Sequence, residues 1–486
     1  MQTAQRQRSF WLRALEIAWV LSMSALRYGS YLVGRAFFRE PGASLDRARE
    51  ARIEDNRRGA AILRAALERL GATFIKLGQV MSTRPDLFPP EVTAELRKLQ
   101  DRLPPFEGAK ALIESELGED AMAGFDELDE RPIAAASVAQ VHRGILIDGT
   151  EVAVKVLRPN VRALALGDGE VLMFFARVLT RVSEAANHAQ LTEHLEHFLA
   201  GIVEQTDLRI EAQNYERFRH NFRRKRKIRF PTVYPELSSE RVLTMSFVRG
   251  QKVDEIEKAR FPDLPRLLRE TFLKMCFDDG LLHADLHPGN FLIQEDGGVT
   301  IFDVGLTKSL NDELLEYYID FNRCLAMGTV EDFMRHVRRF HRYIEGTVNW
   351  VEFERDVRRF HEEFHSQSAK DLEFGTLIER LFSMGRKYGV RPVADMTLMM
   401  VGLVTAEGIG KQLDPDVNSF QEVANYLLPV LARRNMLTPE LMEQAAKAMA
   451  ALQKSEVEVE PGASSDLATT NSATIMSEPA TIAAPA

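Results

Sequence analysis

Apolar and polar positions along this 486-residue chain change their period several times. From 45 to about 117, charged residues recur between leucines and alanines at a spacing that predicts helices. Apolar alternation then appears on both sides of Asp148-Gly149, in 131–144 and in Glu151-Val-Ala-Val-Lys-Val156. That pattern predicts antiparallel strands joined by a hairpin. Residues 162–226 return to a helical period, and a strand pair ends within 243–248. Two short apolar runs, at 291–293 and 299–302, flank the turn at 294–298 and predict a further hairpin. Beyond Asp303 the pattern is helical to about Ala450, with a helix expected to start near Asn311. Residues 455–486 are rich in Ala, Ser, Thr and Pro, which predicts a disordered tail.

No apolar run reaches the roughly eighteen residues of a membrane span. Residues 17–26 are closed by Glu16 and Arg27, and 396–406 by Asp395 and Glu407. Basic residues precede an apolar run at the N-terminus without a small-residue cleavage site, so no cleaved signal peptide is expected. Segment 1–44 is nonetheless unusual. It mixes Trp11, Trp19, Tyr28, Tyr31, Phe37 and Phe38 with Arg6, Arg8, Arg13, Arg27, Arg35 and Arg39. Two readings fit: a helix lying in a membrane interface, or one packed on the protein's own body. The run Arg223-Arg-Lys-Arg-Lys227 likewise reads as a solvated turn or as a site of attraction to anionic lipid.

Composition adds little: 45% hydrophobic and 27% charged is ordinary for a globular protein. A formal charge of −9 argues against nucleic acid as a partner. The two cysteines, Cys276 and Cys324, supply neither a disulfide framework nor zinc-ligand spacing.

The candidate chemistry gathers around the second hairpin. His283-Ala-Asp-Leu-His-Pro-Gly-Asn290 sets Asp285 ahead of Asn290, and Asp303-Val-Gly305 follows the hairpin. This is the layout of a kinase catalytic loop with its metal-holding D-x-G. Phosphoryl transfer needs an oxygen base beside the attacking group, a role for Asp285. It also needs hard oxygen ligands for Mg2+, a role for Asn290 and Asp303. Lys155, in Val-Ala-Val-Lys, matches the phosphate-holding lysine, unless it is an edge-strand lysine facing water. That lysine needs an anionic partner. Glu211 is chosen from the helical face of Asp207, Glu211 and Asn214, against the alternative of a solvated glutamate. Met245 and Val248 bound the stretch expected to line an adenine pocket, and Arg249-Gly250 the hinge into a second lobe. No Ala-Pro-Glu follows Gly305, so the peptide-docking segment of protein kinases is missing. Upstream, Lys76 and Gln79 share a helical face around Gly78. A mid-helix glycine costs about 1 kcal/mol relative to alanine, and such a position usually lets something approach closely.

With Lys76-Leu-Gly-Gln79, Ser82-Thr-Arg-Pro-Asp86, the alanine-rich Ala134, Ala135, Ala136 and Ser137, and His283-Ala-Asp-Leu-His-Pro-Gly-Asn290, the chain resembles the UbiB/AarF family of atypical kinase-like proteins over about 45–435. The resemblance implies an α+β, two-lobed protein-kinase-like fold. Its N-terminal extension would lie over the active site, with Lys76, Gly78 and Gln79 as regulatory residues. The expected parts are the N-terminal segment 1–44, an extension 45–130, an N-lobe 131–250, a helical C-lobe 251–450 and a tail 451–486. The resemblance further implies ATP and Mg2+ as cofactors and a peripheral place on the cytoplasmic side of a membrane. Ubiquinone or isoprenoid lipids, and enzymes of that pathway, would be partners. The alanine loop fits, because alanine largely forbids the positive φ through which glycine loops cradle phosphate. Two departures stand out. Family members often carry Glu-x-Asp where this chain has Gln205-Thr-Asp207, so that either Asp207 substitutes as the partner of Lys76 or Lys76 is held otherwise, and the two C-terminal membrane helices of some members are missing. A small-molecule phosphotransferase of the aminoglycoside-kinase type and a nucleotide-sensing scaffold without turnover remain as alternatives.

Overall fold

The structure, a computed structural model, describes residues 2–37, 45–82, 88–99, 104–182, 191–253, 255–283, 288–366, 374–414, 419–437, 439 and 441–443. The expected tail, 451–486, lies outside them, as does Asp285.

A five-stranded antiparallel sheet forms one lobe. Its strands are β1 (Phe125–Leu128), β2 (Ala134–Ala135), β3 (Ala139–Leu146), β4 (Glu151–Leu157) and, after β5 (Ile228–Arg229), β6 (Val242–Ser246), in the order β1-β3-β4-β6 with β2 also on β3. The predicted hairpin is β3–β4. Gly149 takes φ +83° at its tip, and the Asp148 carboxylate accepts the Thr150 N–H at 2.9 Å. Helix α5 (Ala109–Met122) buries Ala109 and Ile113 against this sheet beside Leu128, Val152 and Val154. β1 and α5 therefore belong with the sheet, although the sequence pattern placed both in an extension running to 130. The reason is that β1 has only one buried position, Leu128, and so carries no alternation to announce a strand.

The helices ahead of the sheet are α1 (Gln2–Phe37), α2 (Leu45–Leu70), α3 (Ala72–Ser82) and α4 (Pro90–Leu96). They bury Ala14, Ile17, Leu67, Phe74, Leu96 and Leu99 together with Val171 of α6 (Val161–Val182). α6 and α7 (Leu191–Glu204) pack on each other and on Leu77 and Val80 of α3. Both therefore join the N-terminal helices rather than the sheet on which an N-lobe of 131–250 would have placed them.

α8 (Leu208–Phe222) packs under the sheet, and its Tyr215, Phe218 and Phe222 share a core with Leu243, Met245, Ile293 and Ile301. β8 (Phe291–Ile293) and β9 (Val299–Ile301) form the second predicted hairpin, with Phe291 opposite Ile301. β10 (Thr307–Ser309) returns antiparallel to β7 (Leu281–His283). The next helix, α9 (Asp312–Met327), is capped by Asn311, whose side chain accepts the Leu314 N–H at 2.8 Å. Among the described residues the chain beyond is helical to Arg433 apart from short connections. Its core of Phe277, Tyr318, Phe321, Met399, Leu427 and their neighbours makes the second lobe. One buried polar group there, Asp320, Cys324 and His336, has the side-chain types of a metal site. The guanidinium of Arg323 already sits against both Asp320 (2.9 Å) and Cys324 (3.3 Å), so the group carries its own cation.

α1 packs one face on the protein's own body and leaves another exposed. Ala14, Ile17 and Val20 are buried, while Trp11, Leu12, Leu15, Trp19 and Leu26 are exposed on another face. Two of its arginines turn to the protein: Arg13 pairs with Asp168 at 2.7 Å and donates to the Leu70 carbonyl at 2.7 Å, and Arg35 pairs with Asp55. No helix among the described residues is long and apolar enough to cross a membrane.

Candidate active site

The centre of the cleft is a lysine held by two carboxylates. β4 lies between β3 and β6, which points the Lys155 side chain inward, 13% exposed, rather than along an open edge. Its ammonium donates to both Glu211 oxygens at 2.9 Å and to Asp303 Oδ1 at 3.0 Å. Glu211 is 5% exposed, which excludes the solvated alternative. Burial works to lower the lysine's pKa, but the charges of Asp303 and Glu211 outweigh it and keep the group protonated. Burial raises the Glu211 carboxyl, against the pull of Lys155. Asp303 is driven well below the usual carboxylate range, chiefly by Lys155, with Lys76 and His283 adding to the pull. Its side chain remains 53% exposed, so the carboxylate faces an open cleft while one oxygen meets the lysine.

One helix face builds the pocket around Asp303. Glu211, Asn214 and Tyr215 all stand on α8 and are all buried. The Asn214 amide donates to the Val304 carbonyl at 3.2 Å, and the Tyr215 hydroxyl accepts the Asp303 N–H at 2.8 Å. Asp303 itself adopts φ +58°, a left-handed conformation tolerated by short polar side chains and found where the surroundings over-determine it. Gly305 is needed for close approach: a Cβ there would lie 3.2 Å from Glu211 Oε2. Tyr215 and His283 escaped the sequence reading. Tyr215 falls one helical turn after Glu211, a spacing that could have placed it on the same face.

Asn290 is 5% exposed, and its carbonyl accepts the Phe302 N–H at 2.9 Å, which brings it beside Asp303. His283, at the end of β7, is fully buried. At the stretch expected to be the hinge the packing is tight: Gln251 and Ile293 exchange backbone hydrogen bonds at 2.9 and 2.8 Å, and a Cβ on Gly250 would meet the Ile293 carbonyl at 2.8 Å. Met245 is buried in the shared core and Val248 half-buried just beyond β6. Ala134 and Ala135 pair with Val141 and Gln140 as β2. The Ala136 N–H donates to the Ala139 carbonyl at 2.8 Å, and Ser137 is fully buried. None of the four takes a positive φ, so the loop offers no glycine-type cradle.

On α3, Lys76 and Gln79 are half-buried rather than solvated, and Lys76 is near enough to Asp303 to act on its carboxylate. What approaches Gly78 is now visible: a Cβ there would fall 2.2 Å from Leu99 Cδ1 and 2.7 Å from Leu67 Cδ1. The glycine makes room for core leucines. Asp207 is engaged elsewhere; it caps α8 through the Arg209 N–H at 3.1 Å and pairs with the Arg209 guanidinium at 2.7 Å.

A lysine fixed by a buried glutamate, beside a depressed and accessible aspartate and a buried asparagine, is a constellation of hard oxygen donors and one fixed cation. Its chemistry suits divalent metal and phosphate oxygens. Comparisons with known proteins agree with that frame. The ABC1 atypical kinase-like domain matches residues 98–335 and the UbiB helical domain residues 357–418. A curated relative named probable protein kinase UbiB, from Pseudomonas putida, is 34% identical over 387 residues, which is 76% of this chain and 70% of that one. Its namesake from Azotobacter vinelandii is 33% identical over 401 residues, 79% of this chain and 73% of that one. Among solved structures, the Rv3197–erythromycin complex from Mycobacterium tuberculosis matches with a TM-score of 0.51 and 23% identity, over 80% of this chain and all of that one, and supports the fold.

Proposed function

The chain belongs to the ABC1/UbiB family of atypical kinase-like proteins, and from that premise we propose that it binds ATP with magnesium and turns it over by hydrolysis or phosphotransfer. The observation that carries the reading is Lys155, held at 2.9 Å by both oxygens of Glu211 while it reaches Asp303 at 3.0 Å. A lysine held in this way is poised to grip nucleotide phosphates, and the ion pair is what makes a kinase site competent. Asn290 and Asp303 would hold the metal, which when bound neutralises charge on the phosphate oxygens. The buried amide and the carboxylate that stays ionised far into acid fit a hard cation. Asp285, outside the described residues, takes the part of base for the acceptor or water on the strength of its place in the loop. Ala134, Ala135, Ala136 and Ser137 close over the nucleotide, and Met245 and Val248 border its base.

The setting we infer is a membrane surface, with isoprenoid or quinone lipids as the substrate class or the beneficiaries of turnover. The exposed apolar face of α1 supports it. The aminoglycoside-kinase-type reading is less well supported, because α3 brings the charge of Lys76 to bear on Asp303, where a soluble acceptor needs open access. The test is Asp303→Asn. The folded variant should lose the thermal stabilisation that Mg-ATP gives the wild type. An equal shift in both proteins would overturn the assignment.

A further inference from the structure

α8 holds the stretch that begins at Asp303 by three side chains in succession. Tyr215 accepts the Asp303 N–H at 2.8 Å, and Asn214 donates to the Val304 carbonyl at 3.2 Å. The third is Arg217, whose Nη2 donates to Ser309 Oγ at 2.8 Å. Ser309 ends β10 opposite Leu281 of β7, the strand that precedes Asp285 in the chain. One guanidinium therefore ties the helix of Glu211 to the strand pair that joins the two motifs. Its bonding capacity is largely unspent. Arg217 is exposed, and among the described residues no carboxylate pairs with it. A guanidinium has five N–H donors, and here a neutral hydroxyl is its partner. Ser309 is exposed too, and among the described residues its hydroxyl donates to no protein acceptor. Thr307, two residues earlier on the same strand face, is already committed, its hydroxyl donating to the Val304 carbonyl at 2.8 Å. Among the described strands β10 pairs with β7 alone, so Ser309 stands on extended backbone at a sheet edge.

We propose that Ser309 is a phosphorylation site and that Arg217 receives the phosphate, forming a latch between α8 and β10. The phosphoryl group comes from ATP through a serine/threonine kinase acting in trans. Ser309 Oγ attacks the γ-phosphorus, and the new Oγ–P bond replaces the bridge to the β-phosphate. ADP leaves, and the hydroxyl proton passes to that kinase's base. The product carries a charge of about −1.5 to −2 and three acceptor oxygens. Arg217 then exchanges one hydrogen bond to a neutral hydroxyl for a bidentate, charge-assisted pair. Asp312 and Glu313, in the first turn of α9, oppose the added charge, but both are exposed and screened. The positive end of the α9 dipole favours it. α8 carries Glu211 as well as Arg217, so a firmer hold at Ser309 favours the arrangement in which Lys155 meets Glu211 and Asp303. That regulatory consequence rests on the reading of these three residues as a magnesium-nucleotide site.

The experiment compares the full chain with and without phosphate on Ser309, installed as phosphoserine during translation, each also as Arg217→Met. Mg-ATP affinity, amide hydrogen exchange and a phosphorus NMR titration are read. Phosphorylation should tighten Mg-ATP binding by about fivefold or more. It should also slow exchange across 303–309 and 211–217, and both effects should vanish in Arg217→Met. The guanidinium should lower the second pKa of the phosphate below its ordinary value of about 6. Effects that persist in Arg217→Met, or a phosphate that titrates at its ordinary value, overturn the latch. The titration needs no substitution of Arg217, so it decides the matter even if that variant fails to fold. Mass spectrometry of the chain from its own cells, growing and starved, should find phosphate on Ser309; an unmodified serine in both overturns the site. If neither form binds Mg-ATP, the nucleotide reading fails, while exchange and titration still decide the latch. If both forms bind Mg-ATP equally, the nucleotide reading stands and this proposal fails alone.

Discussion

The hydroxyl of Tyr215 accepts the backbone N–H of Asp303 at 2.8 Å, and Asp303 is the residue that takes φ +58° in the cleft. A fully buried phenol on α8 therefore fixes the direction in which the D-x-G carboxylate leaves the main chain, one helical turn from the glutamate that fixes Lys155. Tyr215→Phe keeps the ring packing and removes the acceptor. Leaving that donor unpaired costs about 1–3 kcal/mol. We expect a loss of stability in that range by urea unfolding, together with a smaller Mg-ATP thermal shift. A variant that loses stability but keeps the full shift would show that Tyr215 supports the fold and not the carboxylate.

Gly78→Ala tests what the glycine is for. The added methyl meets the ends of Leu99 and Leu67, and overpacking of this kind costs about 1–3 kcal/mol. Helix propensity returns up to about 1 kcal/mol. A net loss of order 1 kcal/mol is expected, and Leu99→Val should recover part of it in the double variant. Additive losses would mean that the leucine contact is not the constraint.

The difference between legible and hidden parts follows from these contacts. Asp285, Asn290, Asp303 and Lys155 lie in short motifs whose spacing is itself the chemistry, so residue order was enough to propose them. Glu211 was reachable because the lysine needs a partner and α8 offers one face. Tyr215 and Gln140 act on backbone groups far away in the chain, and nothing in local periodicity reports a hydrogen bond between Gln140 and Phe106. The same blindness set the sheet's start too late. β1 is held by its pairing with β3, where Leu128 lies opposite Gly144, and not by an alternating pattern of its own. Gly78 was legible as a close approach but not as an approach by leucines, because what fills a gap is decided by tertiary packing.

The Gln140 amide accepts the Phe106 N–H at 3.0 Å, donates to the Phe106 carbonyl at 3.3 Å and lies 2.9 Å from His142 Nε2, so His142 should make this clamp sensitive to acid. Burial holds its imidazole below the usual range, against the Asp129 carbonyl, which raises it. A histidine depressed in the folded state adds stability that is present above its unfolded pKa of about 6.5 and lost as pH falls through the folded value. A proton on Nε2 also abolishes the acceptor for Gln140. Among the described residues His336 and His341 are lowered by burial as well, and burial raises the carboxyls of Glu211 and Asp279, so His142 is one of several contributors to the slope on the acid side. His142→Gln should reduce that slope by one proton's share below about pH 6.5. In the wild type the Phe106 amide should exchange faster at low pH than intrinsic rates explain. An unchanged slope in His142→Gln would mean that the imidazole titrates normally in the folded state.

The exposed stripe on α1 predicts peripheral membrane binding with a specific footprint. Trp11, Leu12, Leu15, Trp19, Leu26 and Val33 are exposed on a helix whose other face, at Ala14, Ile17 and Val20, is already buried. α6 extends the surface: Phe174, itself 40% exposed, packs edge-on against Trp11 with ring centroids 6.1 Å apart, and Val178 and Leu179 continue the exposure. An apolar surface of this kind sinks into the head-group boundary without spanning it. Trp11→Ser, Leu12→Ser and Leu15→Ser together should leave the unfolding temperature almost unchanged, since these side chains already face solvent. Each apolar side chain contributes up to about 1.5–3 kcal/mol when fully buried. Partial immersion of three should therefore still weaken flotation with anionic liposomes by about tenfold or more. Because Arg13 and Arg35 are paired within the protein, salt should release only part of the bound wild type. Complete release by salt would move the contact to the exposed Arg223–Lys227 run, and undiminished flotation of the triple variant would remove α1 from the membrane altogether.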